Sequence, residues 1–447
     1  MCIRDSLKAA IDKGDIYRAS GQWERKSLDD LRLPQTVRDT ILLRVEQLSP
    51  EQADILQTAS VLGRSFSYPV LVSVSAKDDR SVQAALHASV QQQLLEEEPD
   101  NGGRYRFRHA LTREAIYEDM IAPRREELHG IAADVLTART GSAPIDLAFH
   151  LLAANRWNDA VPMGIKAAED AERNQADREA AQLYERLLTH VKEGPMHAQL
   201  LCRAGAAYHR ASEPARAQRF LEQGVPLMEA NGLEIEAAGY RIILGRCYWE
   251  RSQPAIARTH YEGARSVLER AGPSEALAIA YIRLAGLHMF DYEFEECLAM
   301  SNRAAEVAKE AGVESARIWA GVFVGGALAY LGQLDEGTRR QDLAYSEAMA
   351  LGLTGIASNA LYNGCVIRTV RFRAREALDR VRLFEGLRVG GRPTLLELYA
   401  TAIAWQHLGY PGRARELEEQ ALVLARESQA HTFEGCLLYT SPSPRDR

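Results

Sequence analysis

The sequence predicts a mainly α protein: a small helical domain with one β-hairpin, followed by an α-solenoid of helical hairpins. Three observations carry this. From Pro144 onward helix follows helix, and a small residue marks each second helix: Ala217, Ala257, Cys297, Gly337, Ala377 and Ala414, at intervals of 40, 40, 40, 40 and 37. Self-similarity at such a period is the mark of stacked helical hairpins, with small residues where two helices approach closely. Upstream, amphipathic segments precede a stretch in which basic and aromatic residues alternate from Arg104 to Arg108, the period of a strand. Composition agrees, since 46% hydrophobic and 26% charged residues are ordinary for a globular chain, and 7% aromatics with abundant alanine favour packed helices over sheets.

Taken in order, residues 1–6 (MCIRDS) and 436–447 (CLLYTSPSPRDR) share nothing with the patterns between them. Both read as translated sequencing adapter and are set aside from fold reasoning; the expectation is a fragment cut at both ends. Residues 7–15 read as the end of an amphipathic helix, and IYRASGQWE as a tight turn or small hairpin around Gly21. Segment 33–49 opens on Pro34 and places Val37, Ile41, Leu42, Val45 and Leu48 on one helical face. Ser49 then caps a second helix, with Pro50 at its first position, which stops at Gly63. A short apolar stretch, PVLVSVSA, follows. A third helix is expected over 78–96 with Val82, Leu86, Val90 and Leu94 inward, and a hairpin turns at Asp100-Asn101-Gly102-Gly103. At His109 the period changes from strand to helix, so a histidine sits on the junction between them.

Three helices followed by a two-stranded wing make a winged-helix pattern over 33–137. The segment in the recognition position, SVQAALHASVQQQLL, has no Arg or Lys with which to grip phosphates or read guanine. The domain therefore reads as a protein-contact module rather than a DNA-binding one. Beyond it, 144–435 reads as about seven tetratricopeptide-like hairpins whose period, longer than the usual 34, implies longer helices or loops. Stacks of this kind curve to leave a groove that takes a peptide, a protein or a small inducer. Aromatic and basic side chains on first helices, Tyr248, Trp249, His288 and Trp405, are the candidate groove contacts, with packing as the competing role for each.

Other chemistry finds little footing. A net charge of −7 provides no global field for nucleic acid, and no run is long enough to span a bilayer. Cys2 and Cys436 belong to the ends; Cys202, Cys247, Cys297 and Cys365 are scattered singly, as buried thiols of a reducing cytoplasm would be. The histidines show no paired metal spacing, and no catalytic or metal-binding set can be assembled.

Four segments, LPQTVRDTILLRVEQLS, ILQTASVLGRSF, RYRFRHALTREAIYEDM and APRREELHGIAADVL, resemble the winged-helix region of STAND-type signalling ATPases. More closely they are similar to the MalT-like and LuxR-type ATP-binding transcriptional regulators of bacteria. The likeness covers roughly residues 7–137, with 7–32 resembling only the end of the ATPase lid. In that family an AAA-like nucleotide-binding domain precedes this region and tetratricopeptide-like repeats follow it. The resemblance implies that His109 matches the histidine that reaches the phosphates of bound ADP; the residue alone reads equally as an ordinary junction histidine. Arg124, Arg125 and His129 match a following basic-rich helix and read from the sequence as its solvated face. No GxxxxGK[ST] occurs, so this chain is expected to bind no cofactor and to catalyse nothing, with ATP or ADP belonging to the intact protein. The partners implied are the missing ATPase domain, a solenoid ligand and, in the intact protein, further copies of itself, all in the cytoplasm. The output domain would be a helix-turn-helix beyond 435 or a nucleotide cyclase. A reading of a different class is a non-catalytic repeat scaffold.

Overall fold

A computed structural model describes residues 16–19, 22–25, 35–98, 103–139, 141, 143–388 and 391–427. The expectations for both adapter-like ends, the helix over 7–15 and most of the hairpin turn at 100–103 lie outside them. The fold is mainly α, and the chain divides into two compact units, Met1–Ala167 and Ala168–Arg447. The division falls inside a helix, later than the change of pattern near residue 140.

In the first unit, β1 (Ile16–Ala19) pairs antiparallel with β2 (Gln22–Arg25), the small hairpin expected around Gly21. Helix α1 (Gln35–Val45) is followed by α2 (Pro50–Leu62). Ser49 caps α2 as its sequence predicts: its hydroxyl accepts from the Gln52 amide and the Gln52 side chain accepts from the Ser49 amide. Gly63, at φ 116°, ends the helix in a conformation that L side chains rarely adopt.

Two elements were not legible beforehand. Ser65–Ser67 forms β3, and the apolar stretch after it is a helix, α3 (Tyr68–Ser75), with Pro69 in its first turn. Helix α4 (Asp79–Gln91) is shorter than expected, because Leu95–Glu97 must extend as β4 to meet β5 (Arg104–Phe107). The sheet is therefore three-stranded, ordered β3-β5-β4 and antiparallel throughout. In β5 the alternation holds: Phe107 is buried while Arg104 and Arg106 face solvent. Of the four residues expected inward on α4, Val82, Leu86 and Leu94 are buried, but Val90 is 38% exposed. Helices α5 (Ala110–Asp119), α6 (Ala122–Ala138), α7 (Pro144–Ala153) and the start of α8 (Trp157–Arg173) complete this unit.

The second unit is a helical solenoid. After α8 come α9 (Asp177–Leu188), α10 (Gly194–Arg210), α11 (Pro214–Ala230), α12 (Glu234–Glu250) and α13 (Pro254–Ala271). Then follow α14 (Glu275–Phe290), α15 (Phe294–Glu310), α16 (Glu314–Tyr330) and α17 (Leu334–Ala350). The array ends with α18 (Thr354–Val370), α19 (Ala374–Val381) with a 3-10 turn Arg382–Leu387, α20 (Leu395–His407) and α21 (Pro411–Glu427). The extra length over a 34-residue repeat lies in the helices, most of them 17 residues, and not in the loops between them.

The small residues read from the sequence fall where two helices of a hairpin cross. Ala217, Ala257, Cys297 and Ala377 are fully buried. Each faces a second small residue on the first helix. A Cβ at Gly205 would lie 3.1 Å from the Ala217 carbonyl oxygen, and one at Gly245 3.2 Å from that of Ala257. The Cys365 thiol lies 3.5 Å from the Ala377 carbonyl. At Gly325 and Gly337 both partners are glycine, and a Cβ on Gly337 would come within 2.5 Å of the Gly325 oxygen. That crossing is the tightest of the series, and only glycine fits its second helix.

Candidate functional site

The first helices of consecutive hairpins touch one another closely, whereas second helices make no comparable contact. An array packed more tightly on one side bends toward it, so the first helices form the inner wall. The repeat register then decides which side chains line that wall.

Tyr248, His288 and Trp405 occupy one and the same repeat position, shared with Tyr208 and Arg368. The structure turns this position toward second helices. The Tyr248 hydroxyl donates to the Glu222 carboxylate of α11 (2.5 Å), and its ring stacks on His260 at 5.2 Å. His288 Nδ1 lies 2.6 Å from Glu293, and its other nitrogen 3.5 Å from Arg258 of the preceding hairpin. Arg368 bonds Asp342 of α17 at 2.7 Å. The Trp405 ring carries the Arg413 guanidinium at 4.7 Å and meets Tyr410 edge-on. All of these are packing contacts between layers. Trp249 differs: its ring meets Phe290 of the next first helix at 4.6 Å, on the seam between first helices.

That seam was not singled out from the sequence. Arg246 and Glu250 of α12, Arg283 of α14 and Trp319 of α16 share a helical stripe, three to four residues apart, which alignment of the 40-residue register would have exposed. All four are half-buried. Arg283 lies over the Trp319 ring, 4.6 Å from its centroid. Gly286, one turn beyond Arg283, leaves space that the Phe323 ring borders at 3.5 Å. Arg246 Nε donates to Glu250 at 2.7 Å, and His209 Nε2 stands 3.4 Å from the other Glu250 oxygen. Burial alone would raise the Glu250 pKa, but His209 and Arg246 outweigh it and hold the carboxyl at about 2.

In the first unit, His109 caps α5 from an extended conformation, with its side chain exposed and making no capping hydrogen bond. The basic-rich helix after it is not a solvated face. Arg124 bonds both Asp54 and Glu127 at 2.7 Å, and Arg125 lies over the Tyr117 ring. His129 is fully buried, and its Nδ1 is 2.9 Å from Nδ1 of His150, itself 4% exposed. The Tyr117 hydroxyl is 2.9 Å from the remaining His129 nitrogen. The reason is the fold: α7 supplies His150 and Phe149, which cover the His129 ring. Burial, with each other and Arg113 nearby, holds His129 near 3; burial and Arg113 hold His150 near 4. Helix α4 includes Arg80 in its exposed first turn, a cation that the segment read from Ser81 leaves out.

Burial pushes all four thiols, Cys202, Cys247, Cys297 and Cys365, up to about 12, where they are inert as nucleophiles. Among the described residues, no group of three or more His, Cys, Asp or Glu could hold a metal ion, and no helix is long and apolar enough to cross a membrane.

The fold and the seam together define a mainly α protein whose second unit is a tetratricopeptide-like helical solenoid. Aspartyl phosphate phosphatase F from Bacillus subtilis has a similar structure, at 11% identity and a TM-score of 0.50, with 86% of this chain and 96% of that one covered. A Rap protein complexed with Competence and Sporulation Factor gives a TM-score of 0.48 at 13% identity, covering 69% of this chain and 97% of that one. A STAND protein with a tetratricopeptide repeat sensor from Pyrococcus horikoshii gives 0.43 at 12% identity, covering 92% of this chain and 68% of that one. Likeness at such identities speaks to the fold alone. No family model matches the sequence, and no curated protein matches it either.

Proposed function

We propose that the solenoid is a sensor or scaffold whose inner wall binds a peptide or protein segment. The single observation behind this is the register: the 40-residue period stacks one stripe of the first helices α12, α14 and α16 into a half-buried seam of aromatic, charged and glycine positions. A selection of random peptides on the full chain tests it; enrichment of mutually competing sequences is the expected result, and a failure to enrich any would sink the reading.

The finer reading is that the chain is the coupling and sensing part of a cytoplasmic STAND-type regulator of the MalT-like or LuxR-type class. It rests on the resemblance over residues 7–137 and on helix–strand–helix–helix–strand–strand, the element order of a winged helix, with His109 exposed at the start of the helix that follows the last strand. The sequence has no GxxxxGK[ST], so on this reading His109 would offer one donor to a nucleotide site built by another domain, and no catalytic step is assigned to it. A solenoid ligand would favour the active state by binding it better than the resting one. In the intact protein, His109→Ala is expected to lower ADP retention or raise basal output. Unchanged nucleotide content together with unchanged output would remove the histidine from the switch.

A further inference from the structure

Arginines on the first helices of the second unit come with their own counter-ions, with one exception. Arg203 donates to Glu169 at 2.7 Å, Arg210 to both Glu172 and Asp177, and Arg246 to Glu250. Arg283 makes no hydrogen bond or ion pair among the described residues, and its Nε is sealed from solvent without an acceptor. Its guanidinium lies over the Trp319 ring. A guanidinium cannot escape the cost of burial by shedding its proton: burial, reinforced by Arg246, pushes Arg283 down to about 10, which leaves it charged at neutral pH. Glu250 cannot serve it, being committed to Arg246 and His209. The wall thus carries one uncompensated positive charge at a half-buried point, and a buried charge of this kind is stable only when an acceptor arrives to pair with it.

We propose that Arg283 is the anchor of a carboxylate-binding subsite on the inner wall, with the Trp319 indole as its floor and a peptide as the molecule that brings the carboxylate. This rests on the reading of that wall as a peptide surface. A planar guanidinium fork matches a carboxylate bidentately, and a single unpaired cation suits a single negative charge better than a phosphate dianion. Gly286 carries no side chain of its own, and the space a Cβ would take is bordered by the Phe323 ring at 3.5 Å, so an extended main chain can approach the seam between Arg283 and Phe323. The carboxylate can be a peptide's C-terminus or an Asp or Glu side chain; the two share this chemistry.

The test uses the full chain and random heptapeptides displayed in two formats, one ending in a free C-terminus and one embedded without it. Enrichment of the free-terminus format alone assigns the terminal carboxylate, and an Asp or Glu at one fixed position in the embedded format assigns a side chain. A synthetic winner is expected to lose about tenfold or more in affinity when its carboxylate becomes an amide. Arg283→Gln should cost the acid peptide the same factor and leave the amide peptide unaffected, while Arg283→Lys recovers only part, because it keeps the charge and loses the fork. Arg283→Gln should keep its thermal midpoint; if it does not fold, the Arg283→Lys comparison alone decides. Winners that compete with one another but bind wild type and Arg283→Gln equally would overturn the subsite and leave the peptide reading standing. A library from which nothing enriches would overturn both.

Discussion

His129 in the first unit and Arg283 in the second are both basic, both inside, and treated in opposite ways. His129 lies against His150 and Tyr117, with each contact 2.9 Å long, and the pair is held neutral by burial. Arg283 lies over the Trp319 ring, has no carboxylate partner among the described residues, and stays charged. The difference follows from intrinsic acidity. An imidazole can give up its proton at little cost near neutrality and then satisfy its nitrogens locally, whereas a guanidinium keeps its proton and needs an anion. A buried group that can neutralise itself is a structural element; one that cannot points outward to a ligand.

Five changes, the first two a matched pair, would break or sharpen this contrast, set out by the largest effect expected of each comparison. Gly337→Val attacks the scaffold that holds Arg283: its Cβ would meet backbone and Ala329 within 2.8 Å, so a loss of roughly 3–5 kcal/mol is expected in urea denaturation. Ala257→Gly, at the equivalent position of a wider crossing, should cost only about 1 kcal/mol. A similar loss for both would mean that the crossing is not graded by side-chain size.

Acid should act on the histidine pair. Both folded-state values lie below the ordinary 6.5, so the unfolded chain binds more protons than the folded one as pH falls below 6.5. Stability is therefore full above about 6.5 and is lost progressively toward pH 4, on the order of 3–5 kcal/mol for the pair. The double variant His129→Leu, His150→Leu should flatten that part of the stability–pH curve. A wild-type curve already flat between pH 6.5 and 4 would show that the pair is not held neutral.

Arg283→Met is expected to do the reverse of a buried-pair disruption, leaving the unliganded protein unchanged or stabilising it by about 1 kcal/mol, since it removes an unpaired charge and keeps the volume. A loss of 2 kcal/mol or more would make Arg283 a structural residue like His129. His109→Ala should change stability by less than about 0.5 kcal/mol, as befits an exposed side chain without a capping bond.

What the sequence by itself determined is whatever is local or periodic. The 40-residue spacing located the helix crossings from Ala217 to Ala377, and the cap at Ser49, the stop at Gly63 and the alternation in Arg104–Phe107 were all legible, because each rests on a repeat or on the chain's own neighbours a few residues away. Tertiary structure decided the rest. β3 is a strand only because β5 offers it a partner some 40 residues on. Tyr248, His288 and Trp405 look like groove aromatics until the register turns them onto second helices. His129 reads as part of a basic surface until α7 lays His150 over it. Arg283 is one arginine among many until its lack of a carboxylate is seen in three dimensions. Burial and pairing depend on groups brought together from distant segments, and no pattern within a single helix records which of its faces will be covered.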